Sequence, residues 1–303
     1  MTERSRKLAG SEHYIELFRK SSESRKNIAF VGPVFAGKSA IAKEFAASST
    51  SCAYVDLSKI GLSPEEFAVN WIRHLSSWFL KKDIDDINSV KDSLPAGCSD
   101  AIDQVLNELL KIKPNHYLLV ELALNFPELL GKERQFVVCV DEFWRILDLN
   151  NFDQIPDVIS MFKRITSAQP HTSFILIGSA VQLMKLQAAK LGYEIVTISG
   201  LSAKDVGEEM HHYTSGIPLY VNAVKKRMEE KYTLREAFLI EALFKGGVVY
   251  NACNYKLESS LARARGKALL FSILKILCKS NGLRLNEISK KSVQKLCCDQ
   301  EPA

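Results

Sequence analysis

Short apolar, β-rich runs recur along the first two-thirds of the chain, separated by stretches whose apolar residues return every three or four positions. The runs are Asn27–Val31, Ala53–Leu57, Phe136–Val140, Ser173–Ile177 and Glu194–Ile198. Sequences such as FVVCV and FILI are continuously apolar, which suits strands covered on both faces. Strands alternating with helices predict βαβ units and a parallel sheet. Between the second and third runs, Ser63-Pro64-Glu65-Glu66 reads as a helix start, with Ser63 as cap, Pro64 in the first turn and Glu66 completing a capping box. Phe67, Trp71, Leu75 and Trp78 then share one face, a pattern of core rather than of a ligand site. Asp83–Ser99 is polar and predicts a loop, whereas Asp100–Ile112 and Pro114–Leu130 predict helices. After residue 199 the periodicity is helical: Ala203–Tyr213, Ile217–Tyr232 and Thr233–Phe244, a break at Gly246-Gly247, and a long segment Leu257–Leu277. A turn at Asn281-Gly282 and a short helix at Leu285–Lys291 complete the pattern.

The junction of the first strand and the next helix carries the strongest chemistry. Gly32-Pro33-Val34-Phe35-Ala36-Gly37-Lys38-Ser39 fits G-x-x-x-x-G-K-[ST] in full, after the strand IAFV and before the helical SAIAKEFAA. Glycines let such a loop curl with its N–H groups turned onto an anion, and the helix N-terminus adds its dipole. Gly32, Pro33, Ala36, Gly37, Lys38, Ser39 and Ala40 are therefore the candidate phosphate cradle, with Lys38 reaching the β- and γ-phosphates and Ser39 ligating Mg²⁺. The third strand ends in two carboxylates, Asp141 and Glu142. Asp141 is the candidate to hold Mg²⁺ through water, and Glu142 the candidate base for the attacking water. A helix N-cap pair is the competing reading of two adjacent acids. The strand FILIG ends at Ser179, which would touch the γ-phosphate or the water if that strand is inserted between the other two; a plain Gly-Ser turn is the alternative.

Composition narrows the class. The chain has 303 residues, 47% hydrophobic and 25% charged, long enough for about two globular domains at roughly 100–200 residues each. No apolar stretch approaches the length of a membrane span, and the charged start MTERSRKLAGSEH lacks the apolar region of a secretory signal. The seven cysteines include no C-x-x-C pair, so a zinc ribbon or thioredoxin-like site has no support; mostly free thiols in a reducing cytoplasm are expected. His211-His212 is the only histidine pair, and adjacent helical residues diverge, which disfavours a metal site. The net charge of +5 is unevenly distributed: residues 1–220 hold 24 Lys+Arg against 27 Asp+Glu, and residues 221–303 hold 16 against 8, a balance of +8. That basic region points to an anionic partner or to an ordinary solvated surface.

The ordered motifs, from the glycine loop through V-C-V-D-E and I-L-I-G-S to S-G-I-P-L-Y at Ser215–Tyr220, resemble the archaeal-type P-loop ATPase family of the STAND group, related to AAA+ proteins. The resemblance runs from about Leu8 to Lys291. It implies an α/β P-loop NTPase sheet of the AAA+ type over 1–200, a helical lid over 201–256 and a partial winged-helix (helix-turn-helix) region over 257–303. Gly216 and Pro218 map to the family's G-x-P motif, whose proline closes over the nucleotide. The implied activity is Mg²⁺-dependent ATP hydrolysis, slow, in a nucleotide-driven switch cycling between ATP and ADP; the alternative is an ATP-regulated DNA-binding protein using the basic region, and a third reading is a binding module with vestigial hydrolysis. The chain departs from the family in three places. Gly10-Ser11-Glu12 lacks the arginine of the family's adenine segment, Ala180–Tyr193 has Lys185 and Lys190 but no arginine finger, and little sequence follows Lys291 for a recognition helix and wing. DNA binding is accordingly expected to be weak and non-specific, a protein partner is left open, and no membrane partner is expected.

Overall fold

Alternation within the strands decides how the layers assemble. In β1 (Ile28–Val31), Ala29 and Val31 join one buried cluster while Ile28 and Phe30 join another. The same division holds in β2 (Cys52–Asp56), β3 (Phe136–Asp141) and β4 (Thr172–Gly178), where Val55, Val138 and Leu176 face one layer and Tyr54, Cys139 and Ile177 the other. Strands apolar on both faces must be covered on both, and the helices between them supply the cover. The computed structural model describes residues 11–132, 134–261, 267–279 and Glu287.

With β5 (Glu194–Thr197), the sheet is five-stranded and parallel, in the order β2-β3-β4-β1-β5. Thus β4 lies between β1 and β3, the insertion on which the reading of Ser179 depends. Four of the five strands are buried as expected, but β5, at one edge of the sheet beside β1, is not: Ile195 is 38% exposed.

One face of the sheet carries α1 (Ser11–Glu23) and α2 (Lys38–Ser48), where Phe18 of α1 packs edge-on against both Phe30 of β1 and Phe45 of α2. The larger layer on the other face holds α3 (Pro64–Leu80), α4 (Cys98–Leu109), α5 (His116–Gly131), α6 (Val158–Thr166) and α7 (Val181–Leu191). Trp71 is fully buried there, stacked on Phe67, while Trp78 is half-buried at the margin of both clusters. Ser63 caps α3 by accepting the Glu66 N–H at 3.2 Å. The Glu66 carboxylate lies over Gly61, where a Cβ would come within 2.0 Å of it.

Three local expectations are corrected. The polar 83–99 stretch contains a 3₁₀ helix, Ile87–Ser93, because Ile87 and Val90 find burial against α3 and α4 and Asp86 caps the turn. The single helix expected over Ala203–Tyr213 is two, α8 (Ala203–Val206) and α9 (Glu208–Thr214), since a Ser202–Asp205 capping box starts a turn that ends at Gly207. The long segment expected from Leu257 belongs to α12 (Val248–Leu261) and α13 (Lys267–Lys279), which follow α10 (Pro218–Glu229) and α11 (Leu234–Leu243). Asn281-Gly282 and, apart from Glu287, Leu285–Lys291 lie outside the described residues.

By internal packing the chain divides into two compact units, Met1–Leu219 and Tyr220–Ala303. In the second, Arg227 of α10 donates to Glu241 of α11 at 2.6 Å, and Glu241, 3% exposed, also accepts the Val248 N–H at the start of α12 at 2.5 Å. That buried carboxylate links three helices. Among the described residues no helix is long and apolar enough to cross a membrane.

Candidate functional site

The loop Gly32–Gly37 leaves the carboxyl end of β1 and turns into α2 through two left-handed residues, Phe35 at φ 65° and Gly37 at φ 90°. Consecutive N–H groups in such a turn point to one side and form an anion-binding concavity. Gly37 suits its position because only glycine takes that conformation without strain. Gly32 is required for a different reason: a Cβ there would lie 2.5 Å from the Ile198 carbonyl oxygen. Ile198 follows β5, and its N–H donates to the Val31 carbonyl at 2.8 Å.

Lys38, at the first position of α2, is 5% exposed, and its Nζ donates to the carbonyls of Gly32 at 2.9 Å and Pro33 at 2.6 Å. A buried ammonium needs acceptors, and the loop's own carbonyls supply two. The cation is thereby held inside the loop it would serve. Ala36 is buried beneath the loop, Pro33 and Ala40 are exposed, and Ser39 lies half-buried in the first turn of α2.

At the end of β3, Asp141 is 3% exposed and each of its carboxylate oxygens has a donor. Oδ2 accepts the Tyr54 hydroxyl at 2.6 Å and Oδ1 accepts the Glu142 N–H at 2.8 Å. The Ser39 side chain lies beside the same Tyr54 hydroxyl. Burial, and then the neighbouring Asp141 charge, push the Tyr54 phenol far above its ordinary range and keep it a neutral donor.

Glu142 has a left-handed backbone, φ 50°, a conformation that costs a non-glycine residue roughly 1–3 kcal/mol and gathers at functional sites. The turn starts the 3₁₀ helix Phe143–Asn151 and brings Trp144 back over Glu142. The Glu142 carboxylate accepts the Trp144 indole N–H on Oε2 and the Ser179 hydroxyl on Oε1 at 2.9 Å. Ser179 reaches it from the end of β4. The helix N-cap alternative finds no side-chain cap at Glu142, whose oxygens are turned to Trp144 and Ser179.

The structure therefore brings Lys38, Ser39, Asp141, Glu142 and Ser179 to the carboxyl ends of three adjacent strands, where open α/β sheets bind ligands. Pro218 opens α10 just after the Ser215-Gly216 turn. That turn is tied to the strand-end segment, since Leu201 donates its N–H to the Gly216 carbonyl at 2.7 Å. Tyr54 and Trp144 belong to no motif and were not legible as site residues; alternation along CAYVD places Tyr54 on the α2 face, which was the one available signal.

Among the described residues, no three His, Cys, Asp or Glu side chains are grouped to hold a metal ion. The donor set at the sheet edge is instead a hydroxyl, Ser39, and a carboxylate, Asp141, both hard oxygens. Such donors fit Mg²⁺, which binds through one or two protein oxygens and keeps several waters.

No family model and no curated protein matches the chain. Among solved structures it is similar to the Walker-type ATPase of Pyrococcus abyssi, over 99% of this chain and 87% of that one, with a TM-score of 0.51 and 17% identity. It is also similar, at a TM-score of 0.46 and 11% identity, to the Orc1 protein of Aeropyrum pernix in complex with DNA, over 97% of this chain and 79% of that one. Strand order, glycine loop and the first of these likenesses agree on one architecture: the chain has the α/β fold of P-loop NTPases.

Proposed function

We propose that the protein binds ATP with Mg²⁺ and hydrolyses it slowly, as a nucleotide-driven switch. The observation that carries this reading is the convergence of Lys38, Ser39, Asp141, Glu142 and Ser179 from β1, β3 and β4 onto one sheet edge. A binding loop alone requires only the first two.

In this reading the N–H groups of Phe35–Ser39 and the Lys38 ammonium take the phosphates, Lys38 exchanging loop carbonyls for phosphate oxygens of greater charge. Ser39 and Asp141 would hold Mg²⁺, which supplies positive charge against the phosphate oxygens. Glu142 accepts the proton of the attacking water as its oxygen bonds to the γ-phosphorus and the bond to the ADP oxygen breaks. Ser179, hydrogen-bonded to that carboxylate, orients it and lies where the water or the γ-phosphate would be. Pro218, at the start of α10, is assigned to cover the nucleotide. Slow turnover accords with the absence of arginine from Ala180–Tyr193, since an arginine at the transferring phosphate accelerates such reactions by about 10³–10⁵.

The test is phosphate release measured under saturating ATP, with Mg²⁺ and with chelator, alone and with duplex DNA. Slow Mg²⁺-dependent release unaffected by DNA supports the switch; no release above a Glu142→Gln control overturns hydrolysis. Strong stimulation by DNA would favour the second reading, an ATP-regulated DNA-binding protein, for which the specific observation is the +8 balance of residues 221–303.

A further inference from the structure

Tyr54 connects parts of the site that the motifs leave separate. On β2 its ring faces α2 and is 7% exposed. Its hydroxyl donates to Asp141 Oδ2 at 2.6 Å, 87 residues along the chain, with the Ser39 side chain beside it. One turn beyond Ser39, the Lys43 ammonium lies 5.2 Å from the Tyr54 ring centroid, a second contact between this ring and α2. A single side chain from the edge strand thus lies against the loop helix and is tied to the acidic end of β3.

The carboxylate chemistry makes this more than packing. An ionised carboxylate has about four acceptor positions. At Asp141, Tyr54 and the Glu142 N–H each occupy one, on different oxygens, so the carboxylate plane is fixed while acceptor capacity remains on both. A ring held only for its volume has no need of a hydroxyl that donates to a carboxylate.

We propose that Tyr54 is a positioning residue for the divalent cation, its hydroxyl fixing the Asp141 carboxylate that would supply an oxygen. This rests on the phosphate-site reading above. Removing a hydrogen-bond partner of a metal-holding group typically lowers metal affinity about 10–100-fold.

The experiment is calorimetric titration of ATP into the full chain across a series of Mg²⁺ concentrations and in chelator, for the wild type, Tyr54→Phe, Asp141→Asn and the double variant. Phenylalanine keeps the buried ring, and thermal unfolding checks that the variant is folded. The expected result is unchanged ATP affinity in chelator and a Mg²⁺ midpoint raised about 10–100-fold in Tyr54→Phe, with the double variant no worse than Asp141→Asn alone. If Tyr54→Phe matches the wild type, binds Mg²⁺ more tightly, or adds its full effect to that of Asp141→Asn, the inference is overturned while the phosphate-site reading stands. Wild-type ATP affinity that is identical with Mg²⁺ and chelator overturns both. Should Tyr54→Phe fail to fold, Tyr54→Leu, which also removes the hydroxyl, carries the same decision: a Mg²⁺ midpoint equal to that of the wild type overturns the inference, and one raised about 10–100-fold supports it.

Discussion

Trp144 donates its indole N–H to the Glu142 carboxylate, two residues before it in sequence, from a 3₁₀ turn that starts at Glu142's own left-handed backbone. With Ser179 on the other oxygen, the proposed water-activating group is held between an indole and a hydroxyl. Removing the carboxylate's basicity and removing its support have separable consequences. Glu142→Gln should keep ATP bound and lower turnover by about 10²–10⁴, the usual contribution of a general base. Trp144→Phe keeps the ring but loses a hydrogen bond to a charged group, so turnover should fall about tenfold with the KM for ATP changed less than twofold. Steady-state phosphate release on both variants checks this, and a Glu142→Gln protein at the wild-type rate would place the base elsewhere.

Lys38 is the one side chain of the loop that carries positive charge, and it is already folded inward onto Gly32 and Pro33. Lys38→Ala should weaken Mg²⁺–ATP binding at least 10-fold, given about 1.5–3 kcal/mol for a hydrogen bond to a charged group. Calorimetry reads the affinity directly, and equal affinity in the variant removes the phosphate-site assignment. Because the same ammonium satisfies two loop carbonyls, a fall in thermal stability should accompany the loss.

His74, half-buried on α3, has its proton affinity lowered, first by burial and then by the adjacent Arg73; Asp56 acts in the opposite direction and Lys59 in the same one. The unfolded chain protonates this imidazole near about 6.5. Between the lowered folded value and about 6.5 the unfolded state therefore holds more protons, and stability from this group is present above about pH 6.5 and lost as pH falls through the window below it. Urea midpoints at pH 5.5 and 7.5 should differ less in His74→Gln than in the wild type. Parallel behaviour of the two proteins would assign the acid sensitivity to other groups.

The strands and the loop were legible because their signals are local. FVVCV and FILI are apolar on both faces and end in polar residues, and Gly32–Ser39 is a contiguous pattern between a strand and a helix. The strand order was legible only conditionally: the role of Ser179 presupposed an inserted strand, and β4 between β1 and β3 supplies it. Tyr54 and Trp144 were not legible. Tyr54 sits in an apolar strand where a tyrosine reads as a core ring, and its partner Asp141 is distant in sequence. Trp144 depends on a left-handed turn at a glutamate, a conformation no local propensity favours. The 3₁₀ helix Ile87–Ser93 escaped for a related reason, since it has too few turns to show periodicity and is stabilised by tertiary burial of Ile87 and Val90.

Residues 221–303 carry a balance of +8, enough for contacts to a phosphate backbone. The described part spreads that charge over several helices. On α10, Lys225 and Lys226 are exposed, but Arg227 is committed to Glu230 at 2.9 Å and to Glu241 at 2.6 Å. α12 sets one lysine against one glutamate, and α13 carries three lysines and no acid on an otherwise mostly apolar helix, with Lys275 lying over the Phe271 ring at 4.8 Å. Sequence readout needs side chains brought to base edges in a groove, whereas dispersed cations meet only phosphates. Duplex DNA should therefore bind weakly and without sequence preference. With about three phosphates neutralised, affinity should fall on the order of 40-fold for a fourfold rise in salt. Gel-shift titrations of random and chosen duplexes at 50 and 200 mM salt measure both quantities. Nanomolar binding to one sequence that survives the higher salt would show a built groove reader and move the DNA-binding reading ahead of the switch.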